Sequence, residues 1–429
     1  LKGILLRGGR LLDPDRQLDV VQDLYLADER IVGVGMPPAD FQTERIIDVH
    51  GHWIWPGIFD LCAQVNADRL AVEGRAASAA GITDLCVPPD IHPCLDNPAA
   101  VDLVRLASEA QAQVNIHIIG GLTQTLAGSV LAELATLRQA GCVAVSNGRR
   151  SVVDSQVLRR AMEYAASHDL TVLLHAEDSW LRGHGCAHEG ATATRLGLPA
   201  IPAAAEVIGL YRDLALVELT GVRAHFCRLT SAESVRLIAQ AKARGLPVSA
   251  DVAMHHLHLC DRDLTDFDTN CHVDPPLRAQ ADRDALRQGL ANGVIDAICS
   301  DHRPLGADAK LAPFPRSKPG ISALAALVPL LLRLVDEGCM TLSTAVASLT
   351  QRPAALVGLQ PSTLRFGARA DLCVIDPQTN WRLERETLHG SGLNTPFLNQ
   401  EMRGRVVLTI RAGRIVHELA SQSGQQHAQ

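Results

Sequence analysis

The chain has 429 residues, 47% of them hydrophobic and 20% charged, enough to bury a large core in a barrel-sized domain with an accessory unit. Forty basic against 47 acidic side chains leave a formal net charge of -7, which gives no electrostatic footprint for nucleic acid or for an anionic membrane surface. The eleven cysteines are scattered without a CxxC pair, mostly inside apolar runs such as Asp84-Leu85-Cys86-Val87. That is the usage of buried thiols in a reducing cytoplasm, not of a secreted disulfide framework. The opening Leu1-Lys2-Gly3-Ile4-Leu5-Leu6-Arg7 lacks the features of a signal peptide, and no uncharged run reaches the length of a bilayer span. A cytoplasmic location with no membrane partner is expected.

Residues 1 to about 53 hold short strand-like runs (Ile4-Leu5-Leu6, Leu24-Tyr25-Leu26, Ile31-Val32-Gly33-Val34-Gly35, Arg45-Ile46-Ile47-Asp48-Val49) broken by turn signals such as Gly8-Gly9. Residues 361–420 behave alike, with Ala370 to Asp376, Arg405 to Ile410 and Gly413 to Val416. Neither end carries enough apolar surface for its own core, so the two are expected to pair into one small β-sandwich. The polar, Gln- and Ser-rich stretch 421–429 reads as a flexible tail.

Over residues 54–360 the pattern becomes apolar strand followed by amphipathic helix, repeated. Eight strands are predicted: Trp53 to Asp60, Ile82 to Val87, Val114 to Ile119, Cys142 to Val145, Thr171 to His175, Val222 to Cys227, Pro247 to Val252 and Ile295 to Cys299. Helices separate them, among them Leu131 to Ala140, Asp154 to Ser167, Ala203 to Thr220 and Ala232 to Arg244. The count and length predict an α/β fold, a (β/α)8 TIM barrel. A doubly wound open sheet is the alternative, but no Gly-rich phosphate loop follows the first strand.

Chemistry in such a barrel collects at the C-terminal ends of the strands. Strand 1 runs into Cys62 and Gln64, where metal ligands are expected. Strand 4 ends at Ser146-Asn147-Gly148, strand 5 at His175-Ala176-Glu177-Asp178, and strand 6 at Cys227-Arg228. Strand 7 leads to Met254-His255-His256-Leu257-His258 and strand 8 to Ser300-Asp301-His302-Arg303-Pro304.

The order of motifs resembles dihydroorotase, of the amidohydrolase superfamily, over nearly the whole chain. The collinear matches are Pro-Gly-Ile-Phe-Asp at 56–60, His-Ala-Glu-Asp at 175–178, Leu-Thr-Ser-Ala-Glu-Ser at 229–234, His-His-Leu at 255–257, Asp-Pro-Pro-Leu-Arg at 274–278, Ser-Asp-His-Arg-Pro at 300–304, Ala-Asp-Leu-Cys-Val-Ile-Asp-Pro at 370–377 and Asn394-Thr395-Pro396-Phe397. The resemblance implies an amidohydrolase-type barrel with a flanking β-sandwich and one or two zinc ions at the barrel mouth. It also shows where this chain departs. The family's His-x-His pair is replaced by Cys62 and Gln64, and the arginine that would hold a substrate carboxylate by Asn66. The bridging acidic or lysine ligand of strand 4 has the neutral Asn147 in its place. His175 remains on strand 5, whereas Arg228 stands at the strand 6 ligand and His225 is a strand residue. The Asn of the family's Asn-Pro-Pro-Leu-Arg is Asp274, Asp301 is kept, and the substrate histidine after Pro304 is Leu305.

Catalytic zinc needs about three protein ligands and an open position, and only His175 and Asp301 survive from the inherited set. Arg228 carries a permanent positive charge and is expected to pair with Asp301. His255, His256 and His258 read as a non-metal motif, and His184, Cys186 and His188 as an ordinary surface loop. The resemblance therefore implies a degenerate site without metal or other cofactor, as in the noncatalytic subunits found with bacterial aspartate carbamoyltransferase. Expected partners are the carbamoyltransferase chain, as six plus six, and a second copy of this chain through the barrel. The alternatives are a relict amidohydrolase with one metal held by Cys62, His175 and Asp301, and a self-assembling scaffold.

Overall fold

The computed structural model describes residues 1–111 and 113–419; the predicted tail at 421–429 lies outside the described residues. Eight parallel strands form the central sheet in sequence order: β1 (Ile58–Asp60), β2 (Ile82–Val87), β3 (Asn115–Gly121), β4 (Ala144–Ser146), β5 (Thr171–Leu174), β6 (Ala224–Phe226), β7 (Val248–Ala253) and β8 (Ala297–Cys299). The barrel closes just past the strands. A parallel bridge joins Ala63 to His302, with Gln64 N–H donating to His302 O at 2.8 Å. The eight predicted strands are therefore present as a (β/α)8 barrel, and the open doubly wound sheet is excluded.

One predicted strand is two. Trp53–Pro56 belongs to the flanking sheet, where it pairs with Leu372–Arg382 and with the long first strand Lys2–Asp13, while Ile58–Asp60 enters the barrel. The chain changes sheets at Gly57, whose added Cβ would meet Thr83 Oγ1 at 2.0 Å. A side chain there would hold the two sheets apart.

The flanking unit draws on both ends of the chain, as expected, but its strands are hydrogen-bonded as one continuous eight-stranded sheet. Lys2–Asp13 is its spine, with Leu18–Ala27 along one edge and Gln42–Asp48 followed by Trp53–Pro56 along the other. Leu6, Leu24, Leu26, Ile54, Leu372 and Leu408 are buried in its own apolar cluster. Asp13 ties the two ends together by accepting from Thr363 Oγ1 at 2.6 Å and Leu364 N–H at 2.8 Å.

Helix starts follow local chemistry. Asp154 caps Ser155–Ser167 by accepting from Gln156 and Val157 N–H, and Ser231 caps Ala232–Ala243 by accepting from Ser234 N–H at 3.2 Å. The helix Ala203–Thr220 carries Glu206 into the interior, where its carboxylate accepts from the N–H and hydroxyl of both Thr230 and Ser231. This carboxylate fixes the loop that leaves β6. Glu206→Ala would remove the acceptor of three buried donors that have no other, and a loss of at least about 3 kcal/mol in urea unfolding is expected; a loss below about 1 kcal/mol would show that the loop does not depend on it.

Candidate functional site

The strand ends meet around Asp301, which follows β8. Its carboxylate receives Arg149, with Nη2 at 2.5 Å from Oδ1 and Nη1 at 3.4 Å from Oδ2. Arg149 reaches the mouth because Gly148, at φ +65°, turns the chain beyond β4 at a place where an added Cβ would lie 2.8 Å from Asp90. Its Nη1 also donates to Asp274 O at 2.5 Å, and its Nε lies 3.9 Å from Asp90 Oδ2. Arg228 provides a second guanidinium, with Nε 3.7 Å from Asp301 Oδ1 and Nη1 donating to Cys62 Sγ at 3.5 Å. The expected partner of Asp301 was Arg228 alone. The structure makes Arg149 the principal partner and places Arg228 between Asp301 and Cys62.

Both Arg228 (φ +55°) and Asp301 (φ +50°) sit in the left-handed region, which costs a residue with a side chain of this kind free energy unless neighbours hold it. Asp251, at the centre of β7, supplies that hold for Arg228 by accepting its N–H at 2.6 Å. The other Asp251 oxygen lies 2.8 Å from His225 Nε2, and His225 Nδ1 faces Ser249 Oγ at 2.8 Å. His225 is thus a buried strand residue within a hydrogen-bonded chain that ends on the Arg228 backbone.

Charge and burial act in opposite directions here. Burial alone would raise the Asp301 carboxyl, but Arg149 first, then Arg228 and His255, bring it down to about 2. Burial pushes the Cys62 thiol well up in spite of Arg228, so Cys62 stays protonated and donates toward Asp301 Oδ1 at 3.6 Å. A nucleophilic thiolate is not what this environment favours.

The remaining predicted residues fall into separate groups. Gln64 Nε2 donates to Asp90 O at 2.6 Å, and Asn66 Oδ1 accepts His92 N–H at 3.1 Å. Asn147 accepts from Thr123 Oγ1 at 2.6 Å and donates to Leu126 O and Arg150 O, so its amide is fully used in the turn after β4. Leu305 N–H donates to Asn394 Oδ1 at 2.9 Å. His175 and Asp274 assemble with Glu177, their ligand atoms within 4.8 Å of one another. Arg182 occupies this group too, 3.5 Å from Glu177 and 3.2 Å from Asp274. His175 Nε2 is buried without a hydrogen-bond partner.

The histidines after β7 are held in the core. His256 Nε2 lies 3.1 Å from Pro275 O and His258 Nε2 3.0 Å from Leu330 O, while burial lowers them to about 4 and about 3. The stretch read as an ordinary surface loop is more ordered than that. Ala187–His188 pairs with Ala200–Ile201, Cys186 is buried, and His188 Nδ1 lies 3.3 Å from Arg278 Nη1.

These residues do not fit the zinc site that the dihydroorotase resemblance implies. Among the described residues, Cys62, His175 and Asp301 do not form a group with ligand atoms within 4.8 Å; of the two groups that do, both lie against an arginine. In one, Arg182 bridges the acids. In the other, His225 and Asp251 are bonded to each other and to Ser249 and Arg228. The space between Cys62, Arg149 and Arg228 is about 20 Å³, room for a single water and no substrate. Larger clefts lie elsewhere: 430 Å³ beside the mouth near Gln64, Asn66 and Leu305, and 840 Å³ between β2, β3 and the flanking sheet.

Arg149 and Arg182 were not singled out from the sequence. Their only sequence signal is a basic residue within a few positions of a barrel strand end, which surface arginines share.

Comparison with known proteins agrees with this architecture. A model of the Amidohydrolase family matches residues 46–416. A dihydroorotase-like protein of Pseudomonas aeruginosa is 44% identical over 421 residues, 97% of this chain and 99% of its own. A protein named dihydroorotase from Anaeromyxobacter dehalogenans is 38% identical over 423 residues, covering 97% and 98%. Among solved structures, the L-hydantoinase (dihydropyrimidinase) of Arthrobacter aurescens superimposes with a TM-score of 0.84 at 22% identity, over 97% of this chain and 96% of its own, which speaks to the fold alone.

The depressed Asp301 has a pH signature. Its folded value of about 2 lies below the roughly 3.9 of an unfolded Asp, so its contribution, about 2 to 3 kcal/mol, is present above pH ~4 and is lost as the pH falls toward 2. Arg149→Met should destabilise by about 3 to 5 kcal/mol at pH 7, and the gap to the parent should narrow between pH ~4 and ~2 in urea titrations. A gap independent of pH would contradict the pairing.

Proposed function

Because the chain belongs to the Amidohydrolase family and is dihydroorotase-like along nearly its whole length, we propose that it is a catalytically inactive member that assembles with and stabilises aspartate carbamoyltransferase in pyrimidine biosynthesis. The observation that carries this reading is the pair of guanidiniums, Arg149 and Arg228, on Asp301, the aspartate that follows the last strand. A metal-assisted hydrolase needs about three ligands and an open coordination position. Here the corresponding volume is filled by protein cations, and the carboxylate that would serve metal or water is committed to them.

The rest of the fold is kept whole, which supports a role for its outer surface. In the proposed assembly six of these chains meet six carbamoyltransferase chains, and pairs of barrels link carbamoyltransferase trimers. The substrate side is lost independently of the metal side. Asn66 replaces the carboxylate-binding arginine, and Leu305 offers only its N–H, to Asn394.

A second reading, a relict single-metal amidohydrolase acting on a cyclic amide such as dihydroorotate, draws on two observations. A relative named dihydroorotase aligns over 97% of this chain at 38% identity, and His175 Nε2 is buried without a hydrogen-bond partner beside Glu177 and Asp274. Its ligand set would have to differ from the inherited one and would have to displace Arg182.

Co-expression with an aspartate carbamoyltransferase chain separates the two. The assembly reading expects both chains to co-elute in one large species on size-exclusion chromatography, and expects the carbamoyltransferase to lose stability when this chain is omitted. Separate elution with an unchanged carbamoyltransferase would remove it.

A further inference from the structure

The cleft of 840 Å³ lies at the foot of the barrel, at the end opposite the sealed mouth. Its volume is that of a small-molecule site. Asp84, in the first half of β2, and Asn115, which opens β3, stand on its barrel wall. The opposite wall belongs to the flanking sheet, with Arg30 at the start of Arg30–Val34 and Arg411 at the end of Glu401–Arg411, and to Arg369 in the segment that leads into that sheet.

Three guanidiniums converge there. Arg369 Nη2 and Arg411 Nε donate to the same neutral oxygen, Asn115 Oδ1, at 3.1 and 2.9 Å. The other end of the amide fixes this orientation, because Asn115 Nδ2 donates to Asp84 Oδ1 at 3.0 Å. Asp84 in turn accepts from Thr83 Oγ1 at 2.7 Å and lies 2.8 Å from His117 Nε2. Arg30 stands opposite Arg369 across an antiparallel bridge, which puts both side chains on one face, where like charges repel. Its Nη1 donates to Gly367 O at 2.7 Å, and Arg365 adds a further cation to the lining.

The acids of the cleft are engaged. Asp84 is turned to His117 and Asn115, Glu109 pairs with Arg105 at 2.8 Å, and Asp371 pairs with Arg369 Nε at 3.2 Å while accepting Ala412 N–H at 2.6 Å. Among the described residues, Arg30 and Arg365 stand in no ion pair. Burial, and after it the nearness of Arg369, bring the Arg411 guanidinium below its usual value. Holding cations together on a neutral acceptor costs Coulomb energy that an anion between them would recover.

We propose that this cleft binds the phosphoryl group of a small phosphorylated molecule between Arg30, Arg369 and Arg411. A guanidinium fork matches carboxylate and phosphate alike. A carboxylate brings one charge and two oxygens, whereas a phosphoryl group brings about two charges and three acceptor oxygens, one for each guanidinium. Ile116, Leu359 and Pro361 line the cleft as well and give an apolar wall for the body of an ester. The site uses neither the barrel mouth nor a partner chain, so it stands or falls separately from the assembly reading.

The test is calorimetric titration of the purified full chain at low ionic strength, where exposed cations are least screened. The probes are phenyl phosphate, inorganic phosphate and benzoate. Phenyl phosphate should bind once per chain with a dissociation constant of about 0.1 mM. Arg30→Gln and Arg369→Gln should each weaken it at least about tenfold. Arg195→Gln, on the exposed face of Ala191–Leu196 beyond β5, should leave it unchanged. Arg30 is exposed and its variant keeps the Arg369–Asp371 pair, so it reads the site even if Arg369→Gln disturbs the fold. Tighter binding of phenyl phosphate than of inorganic phosphate would assign the site to an ester, and equal binding to free phosphate; both support the phosphoryl site. No saturable heat up to about 10 mM would overturn it, as would benzoate binding as tightly as phenyl phosphate, or an Arg30→Gln chain that binds like the parent.

Discussion

The ion pair between Arg149 and Asp301 is the contact on which the barrel mouth depends. Asp301 comes from the last strand and Arg149 from beyond the fourth, so the pair spans the barrel and closes it from one wall to the other. A buried carboxylate is costly unless paired and hydrogen-bonded. Here the cost is met by a two-point contact, a second guanidinium at 3.7 Å and a thiol donor from Cys62. The guanidiniums need support in turn, which comes from Asp274 O for Arg149 and from Cys62 Sγ for Arg228, while Asp251 holds the Arg228 backbone N–H. Replacing any one member leaves another buried group without its partner.

On the proposed reading, the charge at the strand ends of this barrel is balanced by the protein's own cations. The fold needs charge balance at the strand ends, where backbone polar groups and acids converge, and a metal ion can supply it. Permanent cations on the protein can supply it as well. Gln64 and Asn147 likewise spend their amides on nearby carbonyls or hydroxyls. The polar chain from Ser249 through His225 and Asp251 to the Arg228 backbone then holds the left-handed turn after β6 in place.

Much of this could be read from the sequence, and the parts that could not share a cause. The barrel strands stand out because each is a short apolar run followed by a helical one, and the helix expected over Ala203 to Thr220 has those bounds, between Pro202 and Gly221. The residues expected at the ligand positions that the resemblance implies could be named because each lies at a fixed distance from a strand end. Trp53 to Asp60 misled because Trp-Ile-Trp-Pro-Gly-Ile-Phe-Asp is apolar throughout, and the crossing from one sheet to the other leaves no mark but Pro56-Gly57. Arg149 escaped because a long side chain on a turn can point to water or to the core, and only the close approach of Gly148 to Asp90 decides between them.

The most direct measurement is the zinc content of the purified chain together with its turnover of dihydroorotate in zinc-supplemented buffer. With Arg149 and Arg228 both on Asp301, zinc well below one ion per chain and no turnover above background are predicted. One zinc per chain with dihydroorotate turnover would contradict a mouth sealed by its own arginines.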